Sequence, residues 1–211
     1  MTAAASLRAT TRKPRGQGGE RREEILEHAQ HLFAAHGVHS VSTRQIADAV
    51  GISQPTLYAY FPNKGELLDE VSVRAFERLH RAAHEPHGGA DALERMVRGY
   101  IAFGLENPDA YRIAFMLERP VDPCIDPQAF AEKMQAARQA FDSLRRVVAD
   151  RLGPGHPDVE VAAQSLWAGM HGLVSLLLAR AGFPWVERER LIDRHVACLL
   201  GCLPPAAGGA G

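Results

Sequence analysis

Residues 54–60 read QPTLYAY, a set whose types suit contact with a polar polymer better than contact with one another. Wound at 100° per residue, Leu57 and Phe61 fall four apart and face inward together. Pro55, Thr56 and Ala59 take the opposite side, with Gln54 at the exposed start and Tyr58 and Tyr60 on the two edges. Such groups match base edges in a DNA major groove: a Gln54 amide can pair with adenine, and Thr56 and Ala59 can touch thymine methyl groups. The two phenol hydroxyls at the rims are placed for phosphates. Lys64, opening the next element, adds a charge where helix N–H groups also favour a phosphate. Plain bundle packing would give no reason for exposed Tyr58 and Tyr60 beside Thr56 and Pro55 on so short a helix.

Two short helices must hold that face. Ser42 and Gln45 have capping-box spacing for a helix through Val50, ended by Gly51. A second runs from 54 to 61, with Ser53 as its cap and Pro62 as its stop. Gly51 allows the sharp turn of a helix-turn-helix, and Ile46, Ala47, Val50, Ile52, Leu57 and Phe61 supply a small apolar core. Upstream, Ile25, Ala29, Leu32, Phe33 and His36 recur at helical spacing until Gly37. Downstream, Asn63 and Glu66 repeat the capping-box spacing and start a longer helix reaching about His84.

Residues 41–68 as a whole resemble the N-terminal domain of the tetracycline-repressor (TetR) family. That domain shows a Thr-Leu-Tyr-x-Tyr/His-Phe run, then Lys and a Glu-Leu-Leu-like segment. Here these are Thr56-Leu57-Tyr58-Ala59-Tyr60-Phe61 and Lys64-Gly65-Glu66-Leu67-Leu68. The resemblance covers residues 20–70. It implies that Gln54, Pro55, Thr56 and Ala59 meet bases, and that Thr43, Arg44, Tyr58, Tyr60 and Lys64 meet the DNA backbone. It further implies a transcriptional repressor that leaves a palindromic double-stranded operator when a small molecule binds.

The remaining punctuation predicts helices over 90–106, 108–117, 127–152, 157–181 and 186–203. Three have Pro at or near the first position, where the missing N–H costs nothing, and Asn107 and Asp126 stand as caps before two of those prolines. Pro86, Gly88 and Gly89 form a break. With no alternating strand pattern and no repeats, the expected fold is all-α with about nine helices. A helix-turn-helix domain occupies 20–66 and a helical effector-binding and dimerisation domain 67–203.

Hydrophobic residues make 46% of the chain and charged residues 23%, the balance of an ordinary soluble globular protein. The net charge of −1 hides a basic lead. Before Ile25 stand Arg8, Arg12, Lys13, Arg15, Arg21 and Arg22 against Glu20, Glu23 and Glu24. Residues 1–19 therefore read as a flexible arm, either gripping phosphates or simply solubilising, and 204–211 as a disordered tail. The three cysteines, Cys124, Cys198 and Cys202, cannot all pair within one chain, and no secretory segment precedes them, so a reducing cytoplasm is expected. The longest apolar run, 165–179, is interrupted by His171 and is shorter than the ~18–20 residues a bilayer needs, so no membrane span is expected.

In the C-terminal half, Trp167, His171, Val174 and Leu178 line one helical stripe and Ser165, Gly169, Gly172, Leu176 and Ala179 the opposite one. A helix apolar all round must be covered all round. The last helix adds Leu191, His195, Cys198 and Cys202, beside Ile192, Val196, Leu199 and Leu203. These two helices are expected to pair with their copies in a homodimer, which would hold two reading helices one DNA turn or a multiple apart. Trp167-x-x-x-His171-Gly172 resembles the signature of a TetR subgroup.

A ligand pocket is expected between the DNA head and the dimer helices, from Tyr100, Phe103, Tyr111, Phe115, Met116, Met134, Trp167, Met170 and His171, with Phe76 and Phe130 nearby. Met and aromatic side chains adapt to imperfect shapes, which suits an apolar or amphipathic effector. His171, Tyr111 and Arg112 are its candidate polar anchors.

Other chemistries fit less well. His80 and His84 are four apart, with His87 nearby, but they are expected opposite Phe76 and Leu79, beside Glu77 and Arg81 on a solvated surface. His28 and His31 behave similarly, and no metal site or cofactor is expected. Cys198 and Cys202 are expected inside an apolar stripe, where cysteine is a small hydrophobe. No phosphate loop, nucleophile elbow or zinc-protease pattern occurs. The competing reading is a helical small-molecule-binding protein, or an enzyme using Glu118 and His171, with a vestigial helix-turn-helix. A non-specific architectural DNA binder would need basic surface across the whole body, and charge is balanced beyond the arm.

Overall fold

Local capping decides where the reading helices begin and end. A computed structural model describes residues 18–85, 89, 91–116, 134–153 and 155–203, and among these it has nine α-helices. They are α1 (Gly18–His36), α2 (Thr43–Val50), α3 (Gln54–Tyr60), α4 (Lys64–His84), α5 (Ala92–Glu106), α6 (Pro108–Phe115), α7 (Gln135–Leu152), α8 (Val159–Ala179) and α9 (Arg188–Gly201). No strand occurs among the described residues. Arg8, Arg12, Lys13, Arg15, Pro86, His87, Gly88, Glu118, Cys124, Asp126, Pro127, Phe130 and the tail 204–211 lie outside the described residues.

The expected caps form. Ser42 and Gln45 make both halves of the capping box, and Gly51 closes α2 in the left-handed conformation at φ 74°. Ser53 accepts from the Thr56 amide and Asn63 from the Glu66 amide. Asn107 departs from expectation. It makes no side-chain cap for α6; its amide oxygen instead accepts from Arg78, at 2.6 Å, tying α6 to α4.

The lead is shorter than expected. Helix α1 begins at Gly18, two residues inside the stretch read as an arm. Ion pairs explain this: Arg22 meets Glu70 and Glu23 meets Arg74, so the first turns of α1 are held against α4. Arg22 also stacks over the Phe61 ring, at 4.6 Å.

The apolar residues divide into two cores. The smaller gathers Ile25, Phe33, Ile46, Leu57, Phe61 and Leu67 from α1 to α4. The larger gathers Leu79, Val97, Tyr111, Val148, Leu166 and Val174 from α4 to α8, with Ile192 and Val196 of α9. Helix α4 serves both, through Leu67, Leu68 and Val71 at one end and Ala75 and Leu79 at the other. So does α6: Ile113 belongs to the small core, Ala110 and Tyr111 to the large one.

Helix α8 corrects a length estimate. It runs 21 residues with a mean hydropathy of 1.4 over its most apolar window, long and apolar enough to cross a membrane by length and composition. It begins six residues before the run read from sequence, and its burying face, Ala163, Leu166, Met170 and Val174, completes the large core. The other face is open in a single chain, with Val161 66% and Leu176 51% exposed. Cys198 and Cys202 are exposed too, not inside the stripe that buries Ile192 and Val196. Spacing alone did not say which of two adjacent stripes the chain would cover.

Two close contacts set the tolerances. A Cβ at Gly104 would lie 2.5 Å from Val174 Cγ1 and 2.9 Å from the Tyr111 ring, both fully buried. Lys64 Nζ donates to the carbonyls of Val38 and Val41, at 2.9 and 3.0 Å, closing the loop between α1 and α2 onto α4. Gly104→Ala should therefore destabilise the chain by about 1–2 kcal/mol, because overpacking outweighs the gain in helix propensity. Lys64→Met should cost about 1–2 kcal/mol through two lost charge-assisted bonds. Arg44→Met, at an exposed side chain, should change stability by less than about 0.5 kcal/mol. Denaturant melts without DNA check all three.

Candidate functional site

The outer face of α3 is a shallow polar ridge. Leu57 and Phe61 are buried; Pro55, Thr56, Tyr58 and Ala59 are exposed, and Gln54 and Tyr60 are half-buried on the flanks. The ridge is tied to α2 by a small cluster. The Gln54 amide donates to Thr43 Oγ1 at 2.9 Å, and the Tyr58 hydroxyl lies 3.2 Å from the same oxygen. These bonds from Thr43 and Gln54 hold the Tyr58 phenol below its ordinary pKa. Thr56 Oγ1 lies 2.7 Å from Ser53 Oγ, so the cap and the reading face share a bond. Arg44 projects from α2, 3.9 Å from Asp48 in an exposed pair. Of the nine residues expected at this face, Thr43, Gln54 and Tyr58 are brought together, and Arg44, Pro55, Thr56, Ala59 and Tyr60 stand around them. Lys64 has its ammonium engaged with the Val38 and Val41 carbonyls.

A second feature lies in the larger core: a cavity of about 520 Å³ between α4, α5, α6, α7 and α8. Of the residues expected to line it, Tyr100, Phe115, Met134, Trp167, Met170 and His171 do so. Tyr111 stands one layer behind, fully buried, with its hydroxyl 2.7 Å from His171 Nδ1 and its ring stacked on the imidazole. Phe103 is buried in the core and Met116 is largely exposed at the end of α6, and neither is among the lining residues. Arg112 faces Asp109 on its own helix, at 3.5 Å, and is not among them either. A 3.6-residue period places a side chain on the inner side of a helix but does not say whether a neighbour fills the space beyond it.

Phe76, His80, Met96, Phe141 and Ser143 complete the wall. His84 is exposed as expected and His80 is half-buried, but the two do not lie opposite Phe76. A four-residue step turns 400°, so Phe76, His80 and His84 share one stripe, and that stripe faces the cavity. The arithmetic of spacing could have found them. His84 Nδ1 lies 2.6 Å from the His80 carbonyl and acts as its donor, while His80 Nδ1 lies 3.4 Å from Ser143 Oγ. Burial, then the nearby His84 and Arg146, push the His80 pKa below its ordinary value. Among the described residues, no group of three or more potential ligands could hold a metal ion.

Aromatic contacts knit the wall together. Phe115 meets Phe76 edge-on at 5.3 Å, Tyr111 at 5.0 Å and Trp167 at 6.2 Å; Phe141 covers Trp167 from α7 at 5.8 Å. The site can enclose an apolar body and offer it a few polar groups. Among the described residues no carboxylate lines it, and the Ser143 hydroxyl beside His80 donates to the Gln139 carbonyl at 3.0 Å.

Known proteins share this arrangement. Residues 25–71 match the model for bacterial regulatory proteins of the tetR family, and residues 93–199 match the tetracyclin repressor-like C-terminal domain. The HTH-type transcriptional activator FasR of Mycolicibacterium smegmatis is 26% identical over 182 residues, covering 84% of this chain and 78% of that one. The HTH-type transcriptional repressor KstR of Rhodococcus jostii is 38% identical over 77 residues, 36% of each chain. Against several other relatives, KstR among them, the matched stretch spans about half of their length or less. The crystal structure of the regulatory protein SCO4313 superposes with a TM-score of 0.70 at 25% identity, over 90% of this chain and 100% of that one. With family models matched over residues 25–71 and 93–199, this chain belongs to the TetR family of DNA-binding transcriptional regulators.

Proposed function

We propose that the protein is a cytoplasmic homodimeric repressor that leaves a palindromic operator when an apolar or amphipathic effector enters the α4–α8 cavity. The observation that carries this reading is the pairing of a capped, outward-facing helix with an aromatic-lined cavity through two shared helices, α4 and α6. In this reading Gln54, Pro55, Thr56 and Ala59 meet base edges, and Thr43, Arg44, Tyr58 and Tyr60 meet phosphates. Lys64 uses its remaining N–H for the backbone while its other two hold the α1–α2 loop. The basic residues ahead of α1 strengthen the grip on phosphate.

The functional units are the arm, the head over 20–66 and the effector and dimer unit over 67–203. The dimer forms through α8 and α9. His195 fastens α9 to α8 by its contact with the Gly169 carbonyl at 3.0 Å, and the open face carries Val161, Leu176, Ala197 and Cys198. A contiguous apolar face of this kind is what a two-fold four-helix interface covers. The subgroup likeness of Trp167-x-x-x-His171-Gly172 belongs to the same reading, since Trp167 and His171 both line the cavity.

Control follows from the geometry. An effector against Phe115 and His171 pushes on α6, whose Ile113 is seated in the head core beside α1. The spacing of the two heads shifts by as much as the effector's preference for one arrangement allows. A second reading, activation, is favoured by one observation: FasR, named an activator, matches most of this chain. Transcription from an operator-bearing template separates the two, since a repressor lowers transcript and its effector restores it.

Selection from a random DNA pool by the purified full-length protein tests the core of the proposal, and a palindrome should be enriched. Thr56→Ala should change the preferred base at one symmetric position, worth about 1 kcal/mol of discrimination, while Tyr58→Phe should weaken binding to all sequences alike. Failure to enrich any sequence from folded, dimeric, effector-free protein would overturn the assignment, and identical selection profiles for the two variants would overturn the division of roles.

A further inference from the structure

One end of the cavity is organised around a continuous hydrogen-bond chain. The Tyr100 hydroxyl lies 3.1 Å from the Tyr111 hydroxyl, which lies 2.7 Å from His171 Nδ1. Both phenols are buried; His171 is half-buried, and only Tyr100 and His171 line the cavity. Burial pushes the Tyr100 phenol up to about 12 and Tyr111 higher still, so both keep their protons. Burial also pushes His171 below its ordinary value, which favours the neutral ring.

Each phenol has one proton, and so does a neutral imidazole, so the chain can run in two directions only. In one, Tyr100 donates to Tyr111, Tyr111 donates to His171 Nδ1, and the ring proton sits on Nε2. In the other, Nδ1–H donates to Tyr111, Tyr111 donates to Tyr100, and the Tyr100 proton has no acceptor within the chain. Tyr100 is only 6% exposed, so that second direction leaves its O–H dependent on whatever occupies the cavity. The first direction satisfies every buried member and leaves one polar group for the cavity, the Nε2–H of His171.

We infer that this N–H is the recognition point of the cavity, and that the effector is an apolar molecule bearing an uncharged hydrogen-bond-accepting oxygen of the ketone or ester type. This rests on the reading of the cavity as the effector site. A carboxylate would favour the imidazolium, which needs a proton on Nδ1. Tyr111 would then accept from Nδ1–H and donate to Tyr100, leaving the Tyr100 O–H without an acceptor within the chain. The rest of the wall agrees. Among the described residues lining the cavity there is no Lys, Arg, Asp or Glu, and His84 Nδ1 donates to the His80 carbonyl. Burial and neighbouring charge hold His80 towards neutrality.

Three probes with one skeleton test this on the full-length protein: 4-phenylbutan-2-one, butylbenzene and 4-phenylbutanoate, titrated by calorimetry at neutral pH. The ketone should bind about tenfold tighter than either of the others, the contribution of one well-placed hydrogen bond. His171→Leu should abolish that advantage. Long-range proton–nitrogen correlation spectra of the wild-type protein should place the His171 proton on Nε2, a readout that needs no variant to fold. A proton on Nδ1, or the absence of a ketone preference whether all three probes bind or none does, would overturn the inference. Operator binding measured in parallel separates this from the larger reading. Intact operator binding without ketone preference sinks the inference alone. Ketone preference without any effect on operator binding leaves the recognition chemistry standing and sinks effector control.

Discussion

Tyr111 and Ile113 are two residues apart on α6, so their side chains leave the helix on nearly opposite sides, and each is buried in a different core. That constraint governs the molecule. Through these two side chains one eight-residue helix joins the core around the cavity to the surface on which the head rests. Helix α4 makes the second connection, with its first turns in the head core and its later turns against the cavity. The Arg78–Asn107 bond joins the two connectors directly. Asn107 serves this bridge in place of capping its own helix, and Pro at the start of α6 lessens the need for such a cap.

The same residue sets the polarity of the cavity. Tyr111 packs against Gly104, where even a methyl group would collide, and its hydroxyl lies between Tyr100 and His171. Close packing on one side and hydrogen bonding on the other leave the phenol a single position. A wall so firmly held presents a fixed donor pattern to whatever enters, and it transmits displacement rather than absorbing it. The opposite wall is looser in character, with Phe141, Met134 and the half-open Trp167 able to adjust to ligand shape.

Much of the head was legible in residue order, because its determinants are local. Capping residues, a left-handed glycine and a two-turn amphipathic helix act within a few positions of one another, and the Ser42–Gln45 box, Gly51 and Ser53 all form as their spacing requires. The larger domain was legible only in part. Its helices follow from the same local signals, but its cavity depends on how five of them fill the space they enclose. Phe103 and Phe115 are both aromatic, both on inward faces and twelve residues apart, yet one is plain core and the other is wall. His80 and His84 were misplaced for a simpler reason: polarity was weighted above the four-residue spacing that aligns them with Phe76.

By itself the sequence determined the helical class, which side of α3 faces outward, the family and the apolar inventory of the C-terminal half, since each depends on residue type at short spacing. Only the tertiary structure decided which of those apolar residues surround empty space, that α6 is shared between two cores, and that Tyr111 lies behind the cavity wall rather than in it. These are properties of residues far apart in the chain, such as Tyr111 and His171, whose distance is set by the packing of whole helices and not by any local preference.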